Sequence, residues 1–204
     1  MRTTDGKLFV IAGASRSGKT AWTVKQVRRS RRVIVWDPED QWAQLPGFRR
    51  ITNAAELVQA VASIQGPAKL AYVAGGKLGA AFNHWARCAM YWGRYVGPCA
   101  VVAEELADVS TPGKAPDQWG LLIRRGLKRG MDIYAISQRW AEADKTAVGN
   151  ASRFVVFRVN GDDVDYLARK TRIPVETIEG LRPLQYVEKD AETGEVSKVK
   201  RLRF

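Results

Sequence analysis

The chain alternates short apolar runs with longer segments in which apolar residues recur at helical spacing. The apolar runs predict strands at 7–12, 32–36, 69–74, 99–103, 132–137 and 153–159. The amphipathic segments predict helices at 21–30, 52–64, 79–96 and 118–129. This alternation indicates an α/β fold with a mainly parallel sheet and helices on both faces.

The C-terminal part of the chain has a different pattern. Segments 184–189 and 196–202 flank the turn-forming stretch 192–195 (ETGE), which predicts a β-hairpin. A chain of 204 residues without repeats or linkers is long enough for one well-buried domain. We therefore expect a single domain over 1–204, with 184–204 as a hairpin extension.

The predicted helix 79–96 is rich in large side chains. It carries Phe82, Trp85, Met90, Tyr91 and Trp92. Such a set at helical spacing favours packing in the core or between subunits over a platform for stacking bases.

The composition is that of a globular protein, with 46% hydrophobic and 26% charged residues. No apolar stretch approaches the roughly 20 residues that span a bilayer, and the first residues lack the core of a secretion signal, so we expect a cytosolic protein. Cys88 and Cys99 form no C-x-x-C pair, and the chain has a single histidine. These residues predict free thiols and no structural metal.

The net charge of +12 indicates a polyanionic partner and favours nucleic acid. The positive charge lies in five clusters, although any one of them is typical of a solvated helix end. The clusters are Arg28, Arg29, Arg31 and Arg32; Arg49 and Arg50; Arg124, Arg125, Lys128 and Arg129; Arg169, Lys170 and Arg172; and the segment 198–203.

A phosphate-binding loop follows the first predicted strand. The stretch 13–20 fits G-x-x-x-x-G-K-[ST], in which backbone N–H groups surround phosphate oxygens. Lys19 is expected to reach the β- and γ-phosphates, and Thr20 to offer its hydroxyl to Mg²⁺. The alternative is a surface turn that contains Lys-Thr by chance. The expected nucleotide-binding residues are Gly13, Ala14, Ser15, Arg16, Ser17, Gly18, Lys19 and Thr20.

An acidic pair, Glu104 and Glu105, closes the apolar strand 99–103. Because α/β sheets bind ligands at the carboxyl ends of their strands, we assign Glu104 to the metal and Glu105 to the attacking water. Asp108 could exchange roles with either, and a plain charged strand end is the alternative. Gln138 ends the next strand and could contact both the γ-phosphate and the water.

In the order of these motifs the chain resembles the FtsK-HerA superfamily of ring-forming, DNA-pumping ATPases. The shared series is the phosphate loop, VIVWDPEDQW, the strand with its acidic pair, RRGLKRGMDIYAISQR, and FRVNGDDVDYL before a hairpin. The small size is similar to that of the genome-packaging ATPases of membrane-containing icosahedral viruses, such as tectiviruses. The family's phosphate loop matches 13–20, its acidic pair matches Glu104 and Glu105, and its sensor glutamine matches Gln138. An aspartate of the family matches Asp37.

The resemblance implies an ATP- and Mg²⁺-dependent motor that forms a homo-oligomeric ring and moves double-stranded DNA into a preformed capsid. It implies portal or packaging-vertex partners, contact with a viral inner membrane only through such partners, and a location in the host cytoplasm and at the virion packaging vertex. Two positions depart from the family: Glu104 replaces its usual aspartate, and Leu127 stands where many relatives have arginine. Of Arg124, Arg125, Arg129 and Arg158, we favour Arg125 or Arg158 as the charge-neutralising group, acting across a subunit boundary.

Other functions share parts of this pattern. A filamentous-phage assembly ATPase of the occludens-toxin type belongs to the same superfamily, although such relatives generally carry a membrane anchor. A small nucleotide or nucleoside kinase would share the loop and the length, but not the charge. A DNA-binding structural protein could keep the loop as a switch. A GTPase is disfavoured because no N-K-x-D segment occurs.

Overall fold

The computed structural model of the chain describes residues 5–113 and 115–203. The expected domain, 1–204, and hairpin, 184–204, also include residues that lie outside this range. The strands are β1 (Leu8–Ala12), β2 (Arg32–Trp36), β3 (Arg49–Ile51), β4 (Ala68–Tyr72), β5 (Ala100–Ala103), β6 (Ile133–Ser137), β7 (Arg153–Phe157), β8 (Gln185–Asp190) and β9 (Lys200–Arg201). The helices are α1 (Lys19–Val27), α2 (Ala54–Ser63), α3 (Leu78–Tyr95), α4 (Asp117–Gly126), α5 (Lys145–Gly149), α6 (Gly161–Thr171) and α7 (Val175–Glu179).

The strands form one sheet in the order β3-β4-β2-β5-β6-β1-β7-β8-β9. Strands β1 to β7 run parallel, while β7 pairs with β8 and β8 with β9 in antiparallel fashion. The predicted mainly parallel sheet and C-terminal hairpin are therefore confirmed. Because the strands are parallel, the loops that follow β1, β2, β5, β6 and β7 meet at one edge of the sheet.

Two hydrophobic layers cover the sheet, because alternate side chains of each strand point to opposite faces. On β1, for example, Val10 belongs to the larger layer and Ile11 to the smaller one. The larger layer lies under α2, α3, α4, α6 and α7. The smaller layer lies under α1 and the turn that contains Trp42.

The aromatic residues of α3 form part of the larger layer. Phe82, Trp85 and Trp92 are fully buried, and Phe82 and Trp85 stack with ring centroids 5.3 Å apart. Tyr91 is 44% exposed. The prediction of packing is confirmed for the buried rings, which contribute their large apolar area to the core.

Several predicted boundaries change in the structure. The helix expected to reach residue 129 ends at Gly126, and a 3₁₀ turn over Leu127–Arg129 follows it, closed by Gly130 with a φ of 73°. The short edge strand β3 carries two exposed arginines and was not expected from its pattern. Within the described residues, no helix is long and apolar enough to cross a membrane. Cys88 and Cys99 are buried free thiols, as expected.

Candidate functional site

The phosphate loop connects the end of β1 to the first residue of α1, Lys19. Gly18 has a φ of 112°, in the region that favours glycine. A Cβ on Gly13 would lie 2.5 Å from Ser17 Oγ and 2.7 Å from Phe157 Cβ, closer than real Cβ contacts. The backbone geometry therefore requires both glycines of the motif.

The other loop residues divide between the surface and the interior. Ser15 and Arg16 are exposed, whereas Ala14 and Ser17 are buried. The Ala14 N–H donates to the Arg158 carbonyl at 2.8 Å, which ties the loop to the end of β7. The start of α1 points its free N–H groups toward the loop, so this end of the helix favours an anion.

Lys19 folds back over the loop that precedes it. Its Nζ donates to the carbonyls of Gly13, at 2.7 Å, and Ala14, at 3.0 Å. Burial lowers the pKa of Lys19, while the carboxylates of Glu105 and Glu104 act in the opposite direction. The ammonium group is therefore held between the loop and the acidic pair, where a phosphate would lie against it.

One carboxylate oxygen of Glu104 accepts hydrogen bonds from two different segments, one of which is the phosphate loop. Its Oε1 accepts from Thr20 Oγ1 at 3.2 Å and from the Trp42 indole N–H at 2.8 Å. Burial raises the pKa of Glu104 to about 7, against the opposing effects of Trp42, Lys19 and Thr20. The structure thus brings together Thr20 and Glu104, the two residues predicted for the metal.

Asp37 shapes the turn that carries Trp42. Its buried carboxylate accepts from the backbone N–H groups of Gln41 and Ala43, both at 2.9 Å. These bonds bend the chain after β2 into a 3₁₀ turn and direct the Trp42 ring inward. Sequence reasoning missed Trp42, although the acid-rich turn DPEDQ directly before it was a usable signal.

Glu105 contacts the end of β6, beside the strand that carries it. Its Oε1 accepts from Ser137 Oγ at 3.1 Å and from the Gln138 N–H at 3.0 Å. Glu105 has a φ of 46°, a conformation that costs a residue other than glycine on the order of 1 kcal/mol. The predicted neighbourhood of Glu105 and Gln138 is present, and Ser137 is an additional member that the sequence analysis did not include.

These groups line one cleft at the carboxyl edge of the sheet, with a volume of about 450 Å³ including its open mouth. Residues predicted from the motifs line it from three segments: Ser15, Arg16, Lys19 and Thr20; Glu104 and Glu105; and Gln138. Asp37 and Glu39 also line it. Asp108 is exposed and does not line the cleft, whereas Glu104 and Glu105 do.

The two favoured arginines lie at different places. Arg158 follows β7 beside the loop, and its Nε is buried without a hydrogen-bond partner among the described residues. Arg125 is exposed in the last turn of α4. The next residues approach the start of β1, where Leu127 accepts from the Gly6 N–H, so Arg125 lies toward the opposite edge of the sheet from the cleft.

One curated protein is related to this chain over most of its length. Protein P9 of Pseudoalteromonas phage PM2 is 30% identical over 194 residues, which cover 86% of this chain and 87% of P9. The chain belongs to the P9 family. No family model matches the sequence.

Solved structures share the fold of this P9-family chain at low sequence identity. The genome packaging NTPase B204 of Sulfolobus turreted icosahedral virus 2, in complex with AMPPCP, superposes with a TM-score of 0.76 at 10% identity, over 97% of this chain and 98% of B204. The N-terminal domain of zonular occludens toxin from Neisseria meningitidis superposes with a TM-score of 0.54 at 14% identity, over 98% of this chain and 95% of the toxin domain. The expected fold of phosphate-loop ATPases is therefore confirmed.

The role of Asp37 can be tested through stability. Asp37→Ala removes two charge-assisted hydrogen bonds and leaves two backbone N–H groups of the turn without an acceptor, so we expect a loss of about 2 to 4 kcal/mol. Urea unfolding followed by tryptophan fluorescence measures it. Glu39→Ala, an exposed position in the same turn, is the control and should change stability by less than about 0.5 kcal/mol. Equal effects of the two variants would contradict the proposed role of Asp37.

Proposed function

We propose that this chain hydrolyses ATP and uses the energy to move double-stranded DNA into a viral particle. The observation that carries the proposal is the convergence of Lys19, Thr20, Glu104, Glu105 and Gln138 on one cleft. Membership of a phage protein family and the fold shared with a genome packaging NTPase support the viral setting.

In the proposed reaction, water attacks the γ-phosphorus while the bond to the bridging oxygen breaks, giving ADP and phosphate. Lys19 neutralises charge on the β- and γ-phosphates. Glu105 accepts a hydrogen bond from the attacking water and orients it. Ser137 and the Gln138 N–H hold that carboxylate, and the Gln138 side chain contacts the γ-phosphate and links nucleotide state to movement.

Magnesium is the metal that fits this site. Mg²⁺ usually takes one or two protein oxygens together with substrate phosphates and water. Thr20 Oγ1 and Glu104 Oε1 lie 3.2 Å apart beside the loop, and no group of three or more His, Cys, Asp or Glu in the described part of the chain could hold an ion alone. Thr20 and Glu104 would hold the ion, which would neutralise phosphate charge when bound.

Trp42 should act as a positioning residue for that metal. Trp42→Phe removes the N–H donor to Glu104 while keeping an aromatic ring in the core, so Mn²⁺ should bind about tenfold more weakly with a nonhydrolysable ATP analogue. Electron paramagnetic resonance measures bound Mn²⁺. Phe48→Leu is the matched control, because it changes packing against the Trp42 ring but leaves the indole N–H in place. Unchanged Mn²⁺ affinity in Trp42→Phe would exclude this role.

The catalytic assignment predicts different losses at two residues. Lys19→Ala should weaken nucleotide binding and abolish ATP hydrolysis, because it removes the cation beside the phosphates. Glu105→Gln should retain binding but lose at least about a hundredfold in turnover, since the amide cannot polarise water. Phosphate release with and without duplex DNA, beside fluorescent-nucleotide binding, measures both. If Glu104→Gln rather than Glu105→Gln gives the selective loss of turnover, the two acids are assigned the wrong way round.

The net charge of +12 supports the proposal that the chain acts on DNA. Phosphoryl transfer from ATP to a nucleoside or nucleotide would instead indicate a kinase, and the absence of turnover with duplex DNA would indicate a nucleotide-controlled structural protein. An occludens-toxin-type assembly ATPase remains the alternative within the superfamily.

We place the protein in the host cytoplasm and at the packaging vertex, with portal or vertex proteins as partners and any contact with an inner membrane made through them.

We further propose that the chain is a single domain that works in a homo-oligomeric ring. In such a ring a neighbouring subunit supplies an arginine to the γ-phosphate. Arg125 is exposed and remote from its own cleft, so it can act only on a neighbour's nucleotide. Arg158 lies beside its own phosphate loop, which favours a role within the same subunit.

Mixing inactive variants separates these two roles. Arg125→Ala mixed with Lys19→Ala should recover part of the ATP hydrolysis, because one complete site forms where a Lys19→Ala subunit supplies its intact Arg125. Arg158→Ala mixed with Lys19→Ala should recover none. The measurement is an ATPase titration of each pair with duplex DNA present. Recovery only in the Arg158 mixture would reverse the assignments, and full activity of Arg125→Ala alone would exclude that arginine.

A further inference from the structure

Two segments on one face of the sheet are rich in basic residues and contain no acid. The larger layer is covered by helices that carry both signs, such as Glu56 on α2 and Arg87 on α3. The smaller layer is covered by the turn that contains Trp42, by α1 and, beyond α1, by the C-terminal segment 196–203, whose Leu202 is buried there. Neither α1 with the residues up to 32 nor segment 196–203 contains an aspartate or glutamate.

Basic side chains project from both of these segments. They are exposed, and apart from Lys200 they form no ion pair within residues 5–113 and 115–203. They are Lys25, Arg28, Arg29 and Arg31 from α1 and its following loop, and Lys198, Lys200, Arg201 and Arg203 from the C-terminal segment.

Direct contacts join the two segments into one surface, which we call the α1 face. Lys25 Nζ donates to the Arg203 carbonyl. The Trp22 ring of α1 meets the Tyr186 ring of β8 edge to face, with centroids 6.4 Å apart. The basic groups of α1 and of the hairpin therefore lie side by side, although Lys25 and Arg203 are 178 positions apart in sequence.

Among the described residues, the acids at neighbouring sheet positions form an ion pair with only one basic group of this surface, Lys200. The Glu188 carboxylate pairs with Arg153, at 3.4 Å, and with Lys200, at 3.0 Å. Asp190 pairs with Arg153, and Asp132 accepts from the Lys7 backbone N–H.

Other basic clusters found in the sequence are arranged differently. Arg49 and Arg50 pair with Glu56 and Asp40 at 2.8 Å. Two further clusters belong to α4 and α6 with the turns that follow them, and these helices cover the opposite face of the sheet. On the α1 face, segments 19–32 and 196–203 thus bring eight exposed basic residues together, and neither segment contains an acid.

We propose that duplex DNA binds along the α1 face through its phosphates. This inference rests on the proposed function and names the surface that contacts the polymer. Arginine and lysine contacts to phosphates supply affinity without sequence specificity, as a motor on DNA requires.

The α1 face is also attached directly to the phosphate loop. Helix α1 begins at Lys19 of that loop, and the Leu184 N–H, just before β8, donates to the Ser17 carbonyl at 3.2 Å. A Cβ on Gly18 would contact Leu184 and Leu202 at 3.3 Å, so the loop packs against the hairpin. A change at the γ-phosphate can therefore reach the DNA contacts through one rigid helix and one packed strand pair.

An anionic membrane is the competing polyanion, and the apolar residues argue against it. Peripheral membrane binding combines basic groups with apolar side chains that enter the bilayer. Among the exposed large hydrophobic residues of the described part, only Val199 lies on the α1 face; Val58, Tyr91 and Tyr95 lie on α2 and α3.

The test compares three variants that keep the fold. Arg28→Gln with Arg29→Gln removes charge from α1, and Arg201→Gln with Arg203→Gln removes it from the hairpin. Arg87→Gln with Arg94→Gln, two exposed positions of α3, is the matched control with the same loss of net charge. Binding to a fluorescent duplex is measured by anisotropy from low to high salt, and melting temperatures confirm that each variant is folded.

We expect each α1-face pair to lower the salt-dependence slope, log K against log salt, by about 1 to 2, with at least about a tenfold loss of affinity at low salt. The control pair should leave both within error. Equal losses in the control, or none in the α1-face pairs, would overturn the proposed surface while the function stands. Failure of the unaltered protein to bind duplex DNA would overturn the proposed function itself. Loss of binding to phosphatidylserine vesicles but not to DNA would assign the face to a membrane.

Discussion

One carboxylate oxygen joins the segments that form the cleft. Glu104 Oε1 accepts from Thr20, at the start of α1, and from Trp42, in the turn after β2, and so joins three segments that are far apart in sequence. The turn exists because Asp37 accepts two backbone N–H groups. The position of Glu104 against the phosphate loop therefore depends on Trp42 and on the Asp37 turn that holds it.

Much of this site could be read from the sequence because its parts follow strands. A buried parallel strand is a short apolar run, and its carboxyl end is the next polar residue, so Glu104, Glu105 and Gln138 could be placed at one edge. The phosphate loop gives a stronger signal, since a Cβ has no room at Gly13 and the positive φ of Gly18 favours glycine.

Other features could not be predicted because side-chain packing decides them. Trp42 looks like any aromatic residue after a turn, and only the fold brings its indole N–H to within 2.8 Å of Glu104. The positive φ of Glu105 has no signal in its residue type. Strand β3 contains a single buried residue, Ile51, and two exposed arginines, so its apolar pattern is too short to distinguish it from a loop. Likewise, the pairing of Arg49 and Arg50 with acids is a property of the fold.

The two edge strands of the sheet constrain how copies of the chain can associate. Strand β3 presents Arg49 and Arg50 at one margin, and β9 presents Lys200 and Arg201 at the other. Lysine and arginine on an edge strand oppose further strand addition, because an added strand would desolvate these charged groups and disturb the ion pairs of Arg49, Arg50 and Lys200. A continuous sheet running from subunit to subunit is thus disfavoured, and a closed assembly would be built through helices and loops, which can shift against one another without breaking backbone hydrogen bonds.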